Sequence, residues 1–265
     1  MDLLHAVWLA VLQGFTEFLP ISSSGHLVLV PRFLGWPDQG LAFDVAVHLG
    51  TLIAVVAYFR HELLNMARAW FRSVAGKPGT PDSRLAWAVI WGTVPVAIAG
   101  FLLADTVEAE MRSPLLVAST TAGFGILLWL ADARGRRNRD EFSLSWSDVM
   151  LIGLVQVLAL VPGTSRSGIT MTAGLLLGLS REASARFSFL LAVPVILAAA
   201  SLETVRLLKT PQSADWVAMG VGTVVSALVA YLTIRYFLHF LGRIGMLPFA
   251  IYRVLVALLI LYAFG

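Results

Sequence analysis

Residues 13–26 read Gln13-Gly-Phe-Thr-Glu17-Phe-Leu-Pro20-Ile-Ser22-Ser23-Ser24-Gly25-His26. They gather an amide, a carboxylate, several hydroxyls, a glycine and an imidazole around one proline, inside an otherwise apolar chain. Residues 156–168 answer them: Gln156-Val-Leu-Ala-Leu-Val-Pro162-Gly-Thr164-Ser165-Arg166-Ser167-Gly168. In both stretches Gln and Gly lie twelve residues apart (25 − 13 and 168 − 156), with a proline and then a Ser-rich turn between them. The rest of the chain reads as the scaffold that brings the two together.

Composition sets the class. Of 265 residues, 58% are hydrophobic and 13% charged, and the mean hydropathy is +0.82. Soluble domains average about 45–50% apolar and about 25% charged, so this is an integral membrane protein. The net charge of +3 is modest. Its basic residues cluster in hydrophilic loops, which points to membrane orientation and not to nucleic acid. Without cysteine there is no disulfide framework and no thiolate site. No Lys or Arg precedes Arg32, so the N-terminus lacks a signal peptide's basic region and is expected to belong to the mature fold.

A bilayer core of about 30 Å takes roughly 17–25 helical residues to cross. Six segments qualify as transmembrane helices: about 43–59, 85–104, 114–131, 187–207, 216–238 and 247–264. Residues 3–34 and 147–178 are apolar but broken near the middle by Pro, Ser and Gly. Irregular backbone at membrane depth is tolerated only when buried in protein or lining a wet cavity, so both regions read as re-entrant helical hairpins. Hairpin, span, span, span then occurs twice, in a single all-α domain of residues 1–265 with repeats 1–131 and 147–265. Three spans is an odd number, so the second copy starts on the opposite face and the repeats are inverted in topology.

Loop charges orient the chain. Arg60, Arg68, Arg72, Lys77 and Arg84 separate the first two spans, and Arg134, Arg136, Arg137 and Arg139 precede the second hairpin. Between them lies an acidic loop with Asp105, Glu108 and Glu110 against Arg112. The positive-inside rule makes the two basic loops cytoplasmic, which puts both termini and the mouth of the first hairpin outside. Arg181, Arg186 and Arg243 agree; Arg206 and Lys209 dissent. Residues 60–75 also read as a basic amphipathic helix on the membrane surface.

Several residues carry chemistry. Gln13 and Glu17, four apart, share a helix face, and their oxygens suit a hard divalent cation such as Mg²⁺ or Ca²⁺; a Glu17 that merely caps the Ser turn is an equal alternative. Ser22, Ser23, Ser24 and Gly25 before one helix, and Thr164, Ser165, Arg166, Ser167 and Gly168 before another, form anion-binding turns. Arg166 adds a guanidinium suited to phosphate, or an ion-pair partner for Glu17. Ser23 and His26 fit a nucleophile and its base. His48 and Asp44 on the next span stand behind them. Tyr252 and Arg253, at the start of the last span, read as polar groups snorkelling to the interface.

Together with Phe249-Ala-Ile-Tyr-Arg253, the two motifs resemble the bacterial undecaprenyl-diphosphate phosphatase family, also called the bacitracin-resistance protein. The resemblance spans essentially the whole chain. It implies hydrolysis of undecaprenyl diphosphate to undecaprenyl phosphate and phosphate, with a divalent cation required. That reaction recycles the lipid carrier of peptidoglycan synthesis at the outer face of the cytoplasmic (inner) membrane. On this resemblance the catalytic residues are Ser23, His26, Glu17 and Arg166, and the metal ligands Glu17 and Gln13. Relatives often carry Glu where this chain has Gln13, so two carboxylates are not assured here. The expected partners are the polyprenyl diphosphate and membrane lipids, not nucleic acid; a homo-oligomer is compatible with the sequence. Attack by water with Ser23 only a phosphate ligand stays open. So does a lipid-phosphate transporter or flippase, since inverted repeats with broken helices are also transporter architecture.

Overall fold

The computed structural model describes residues 2–111, 113–209 and 215–264. Arg112 lies outside the described residues, as do the side chains of Asp105, Glu108, Glu110 and Lys209, on which the loop-charge reading drew.

Among the described residues the regular structure is helical. Six helices are long and apolar enough to cross a membrane. They are α3 (Leu41–Tyr58), α5 (Pro81–Glu110), α6 (Pro114–Arg134), α9 (Arg181–Lys209), α10 (Trp216–Ile244) and α11 (Leu247–Phe264). Each overlaps one expected span. The helix of α5 continues through residues 105–110, where the sequence reading placed a loop. Between α3 and α5 runs α4 (Arg60–Val74), which buries Met66 and exposes Arg60, Arg68, Phe71 and Arg72. Its apolar side meets the protein through Leu63 and Trp70, and the Trp70 ring lies tilted against Trp87 of α5, 5.6 Å between centroids.

Both interrupted regions break where proline and serine fall. The first is α1 (Leu3–Thr16) and α2 (Ser23–Leu34); the second is α7 (Trp146–Gln156), a 3-10 turn (Val157–Leu160) and α8 (Arg166–Leu176). At 1.5 Å per residue, α1 covers about 21 Å, short of a hydrocarbon core of about 30 Å. Asp2 caps α1, and a reciprocal Ser145–Asp148 box caps α7. Before α2 and α8 the chain turns through Ser22 and Ser165, both left-handed at φ 73° and 72°. A non-glycine residue there costs roughly 1–2 kcal/mol.

Packing is reciprocal. α1 lies on α10 and α7 on α5; α10 lies on α3 and α5 on α9; α3 meets α9 and α6 meets α11. Small residues let the backbones close up, as in other helix contacts within membranes. A methyl group on Gly14 would stand 2.7 Å from Ser226 O of α10, and one on Gly153 would stand 2.8 Å from Gly92 O of α5. The first turn is pinned to the core by Phe18, edge-on to Phe189 at 5.1 Å. Several basic residues read as solvated loop charges are in fact paired: Arg139 with Asp148, Arg181 with Asp132, and Arg186 with Glu141 and Glu62.

Candidate active site

Glu17 caps the end of α1, and its side chain is nearly enclosed. Ser23 Oγ donates to Glu17 Oε2 at 2.6 Å, and Gln13 Nε2 donates to the same oxygen at 3.0 Å. The other oxygen, Oε1, accepts from Arg166 Nη2 at 3.0 Å. Arg166 Nη1 donates to Ser188 O of α9 at 3.0 Å. One carboxylate therefore joins a hydroxyl from the first turn to a guanidinium from the second, across 149 residues of sequence. Both the shared face of Gln13 and Glu17 and the ion pair of Glu17 with Arg166 are present.

Ser23 and Arg166 occupy the same place in their turns. Each is the first residue of its helix and follows a left-handed serine. The backbone bend that turns a hydroxyl toward the shared space in one copy turns a guanidinium toward it in the other.

A cavity of about 350 Å³ opens at this junction. It is lined by Glu17, Ser22, Ser23, Ser24, Ser165 and Arg166. Val96, Leu160, Val195, Ile196 and Ala199 supply an apolar wall. Asp44, His48 and Glu203 line it as well, with His48 Nε2 3.8 Å from Glu17 Oε2. A cleft lined by both polar and apolar side chains, with a guanidinium and hydroxyls among them, suits an amphipathic ligand with an anionic head.

Other members of the expected constellation stand elsewhere. His26 bonds elsewhere than to Ser23: its Nδ1 faces Ser22 O at 2.7 Å and its Nε2 faces Tyr252 Oη at 2.6 Å, with the two rings stacked. The group that takes the Ser23 hydrogen bond is Glu17, so the expected hydrogen-bonded pairing of serine with histidine is not the contact formed. The sequence spacing from Ser23 to His26 did not reveal this, because the ring points back along its own helix. Ser167 and Gly168 are used structurally. Ser167 Oγ donates to Leu19 O at 2.9 Å, and Gly168 N donates to Ser165 Oγ at 3.2 Å. Thr164 is fully buried, and neither it nor Gly25 lines the cavity.

Arg253 overturns the snorkelling expectation. Its side chain is wholly buried and donates only to backbone carbonyls: Thr121 O, Pro20 O, Thr120 O, Gly163 O and Thr164 O. Its position near a span end suggested the interface, and no local pattern marks the distant carbonyls it meets. Tyr252, beside it, is the partner of His26.

The residues fit a hard cation. Gln13 Oε1 is buried without a hydrogen-bond partner and, with the Glu17 carboxylate, offers oxygen ligands, although Gln13 does not line the cavity. Asp44 and Glu203 add acidic charge to a cavity whose basic side chains are Arg166 and His48. No group of three or more His, Cys, Asp or Glu suited to a metal occurs among the described residues.

The family model for bacitracin resistance protein BacA matches residues 6–259. The chain belongs to the BacA family. Its BacA-family relatives include undecaprenyl-diphosphatase 2 of Stutzerimonas stutzeri, 58% identical over 100% of this chain and 99% of the relative. The undecaprenyl-diphosphatase of Nitrosococcus oceani is 58% identical over the full length of both. That of Chromohalobacter salexigens is 54% identical over 98% of each. In this BacA-family chain, both the Glu17 junction and the buried Arg253 fall inside the matched region.

Proposed function

We infer that this chain is an integral membrane undecaprenyl-diphosphate phosphatase, releasing undecaprenyl phosphate and inorganic phosphate. Full-length relatives carrying that name support the activity. The observation that carries the chemistry is the single carboxylate of Glu17 shared by Ser23 and Arg166. A structural protein needs no such junction, and a carrier of lipid phosphate needs the guanidinium but not the hydroxyl–carboxylate contact.

In the proposed reaction the diphosphate lies against Arg166 and the serine turns, and the prenyl chain lies along the apolar wall. The Arg166 guanidinium has more donors than its two protein contacts use, so it can bind phosphate oxygens while staying near Glu17. Glu17 Oε2 takes the Ser23 proton as Ser23 Oγ bonds to the terminal phosphorus. The bond from that phosphorus to the bridging oxygen breaks, and undecaprenyl phosphate leaves. Water then bonds to the phosphorus held on Ser23 as the bond from phosphorus to Ser23 Oγ breaks; Glu17 returns its proton to Ser23 Oγ, and the water's protons leave with the phosphate. Phosphoryl transfer depends chiefly on positioning and charge stabilisation, which the two facing turns provide. A divalent cation held by Glu17 and Gln13 would neutralise phosphate charge in this acidic cavity. His26, tied to Ser22 and Tyr252, holds the first turn in shape and does not act as the base.

The short α1/α2 and α7/α8 pairs are read as re-entrant hairpins of two inverted repeats, 1–131 and 147–265; the reciprocal packing supports this. The cavity then opens to the outer face of the bacterial inner membrane, where the product re-enters the carrier cycle of peptidoglycan synthesis. The test is phosphate release from undecaprenyl diphosphate by purified protein in detergent, with Mg²⁺ or Ca²⁺ and with chelator. Release by the wild type, loss on chelation and loss in Glu17→Ala are expected. A wild type that releases no phosphate, yet moves the lipid across liposomes, would overturn the enzyme reading.

A further inference from the structure

Arg253 stands outside both sequence motifs and does not line the cavity. Its contacts nevertheless span both halves of the site. Nη1 donates to Pro20 O at 3.3 Å, in the first turn. Nη2 donates to Gly163 O at 2.8 Å and Thr164 O at 2.9 Å, in the second. Nε donates to Thr121 O of α6 at 2.9 Å, and Nη2 reaches Thr120 O at 3.4 Å. Each turn carbonyl lies in a stretch broken by proline, where no helical N–H is available to it.

A buried guanidinium is costly unless its donors are satisfied. Here the partners include one carbonyl of the first turn and two of the second, so one side chain bonds to both turns at once. The surroundings are shaped to admit it. A methyl group on Gly125 would stand 2.9 Å from Arg253 Cβ, and one on Gly168 would stand 3.0 Å from Nη1. The rigid planar fork fixes the separation and angle of the carbonyls it binds, which a flexible ammonium does not.

We propose that Arg253 is a positioning residue for the hydrolysis. It sets the distance between the two turns, and thereby places Ser23 and Glu17 on one side of the phosphate and Arg166 on the other. The inference rests on the phosphatase reading. If that reading fails, the wild type is inactive; if only this inference fails, the wild type is active and the variants match it.

The experiment is steady-state hydrolysis of undecaprenyl diphosphate by Arg253→Lys, with thermal unfolding measured on the same preparation. A misplacement of about 1 Å can cost about 10²-fold in rate. The expected result is kcat lower by about that factor per folded molecule, while KM moves by less than about 3-fold, the pattern of a contribution made at the transition state. A merely structural clasp lowers the unfolding midpoint and the active fraction but leaves kcat per folded molecule at the wild-type value. That outcome overturns the proposal, as does a loss carried entirely by KM. If Arg253→Lys does not fold, Gly125→Ala, which keeps the arginine and only displaces its stem, is measured in the same way. Wild-type kcat in that variant would overturn the proposal equally.

Discussion

Ser22 and Ser165 share a positive φ, and each launches a helix, yet the two helices sit in different surroundings. Of the 12 residues of α2, only His26, Leu27 and Pro31 are buried. Of the 11 residues of α8, the nine from Ser167 to Leu175 are buried. α8 packs on α6, α7 and α9, while α2 rests mainly on α1. The glutamines differ in the same sense. Gln13 Nε2 donates to Glu17, whereas Gln156 Nε2 donates to Gly92 O at 3.1 Å, one turn before Pro95 of α5, where proline weakens the helical ladder. Four residues on, the first copy has Glu17 and the second Leu160. Two similar turns have thus divided the work. The second is embedded and contributes a guanidinium, while the first carries the carboxylate at the end of the packed α1 and the hydroxyl on the lightly packed α2. Local opening is easier where few apolar contacts are buried, so α2 is expected to open before α8.

The largest way to break this comparison is to exchange hydroxyls between the turns. Ser23→Ala should lower phosphate release by at least about 10³-fold, as removal of a nucleophile does. Ser167→Ala, the hydroxyl one place later in the second turn, should cost less than about 10-fold because it loses bonds to Leu19 O and Ser165 Oγ and no contact with Glu17 or Arg166. Equal losses would erase the distinction. Next, Glu17→Gln should lower turnover by about 10²–10⁴-fold, the range of general base catalysis, in an assay where Gln13→Ala shows a smaller effect. Arg166→Lys keeps the charge but not the fork, and should lower turnover by about 10²-fold or more.

Smaller effects concern the scaffold. Gly14→Ala and Gly153→Ala each press a methyl group on a backbone carbonyl, of Ser226 and Gly92 respectively. Each should destabilise by about 1–3 kcal/mol, read as a lower unfolding midpoint, and similar losses would match the reciprocal packing. Smallest is the relief of strain. Ser22→Gly removes a left-handed serine whose hydroxyl has no partner, and should stabilise by up to about 1 kcal/mol. Ser165→Gly also removes a cap to Gly168 N, so its gain should be offset.

Much of the architecture was legible because span length and apolar composition are local properties. The six long helices and the two breaks follow from where Pro, Ser and Gly interrupt apolar runs. The Glu17–Arg166 junction was also within reach, since matched spacing in two motifs implies that they meet. What escaped were contacts with no periodic signature. His26 follows Ser23 at an attractive spacing, but its ring is claimed by Ser22 O and by Tyr252, more than two hundred positions away. Arg253 looked interfacial because it lies near the start of a span, and only the folded chain brings five carbonyls to it. Ser165 and Ser167 differ by two positions, yet only Ser165 lines the cavity; turn chemistry alone does not separate them.

The central claim is that Glu17 activates Ser23 as the nucleophile while Arg166 holds the phosphate. The most direct measurement is a single-turnover reaction with terminally labelled undecaprenyl diphosphate, quenched in acid and mapped by mass spectrometry. The account predicts a transient phosphate ester on the peptide containing Ser23, absent from Ser23→Ala and formed more slowly in Glu17→Gln. Phosphate released at full rate with no ester on Ser23 at any time point would contradict it, and would leave water as the attacking group.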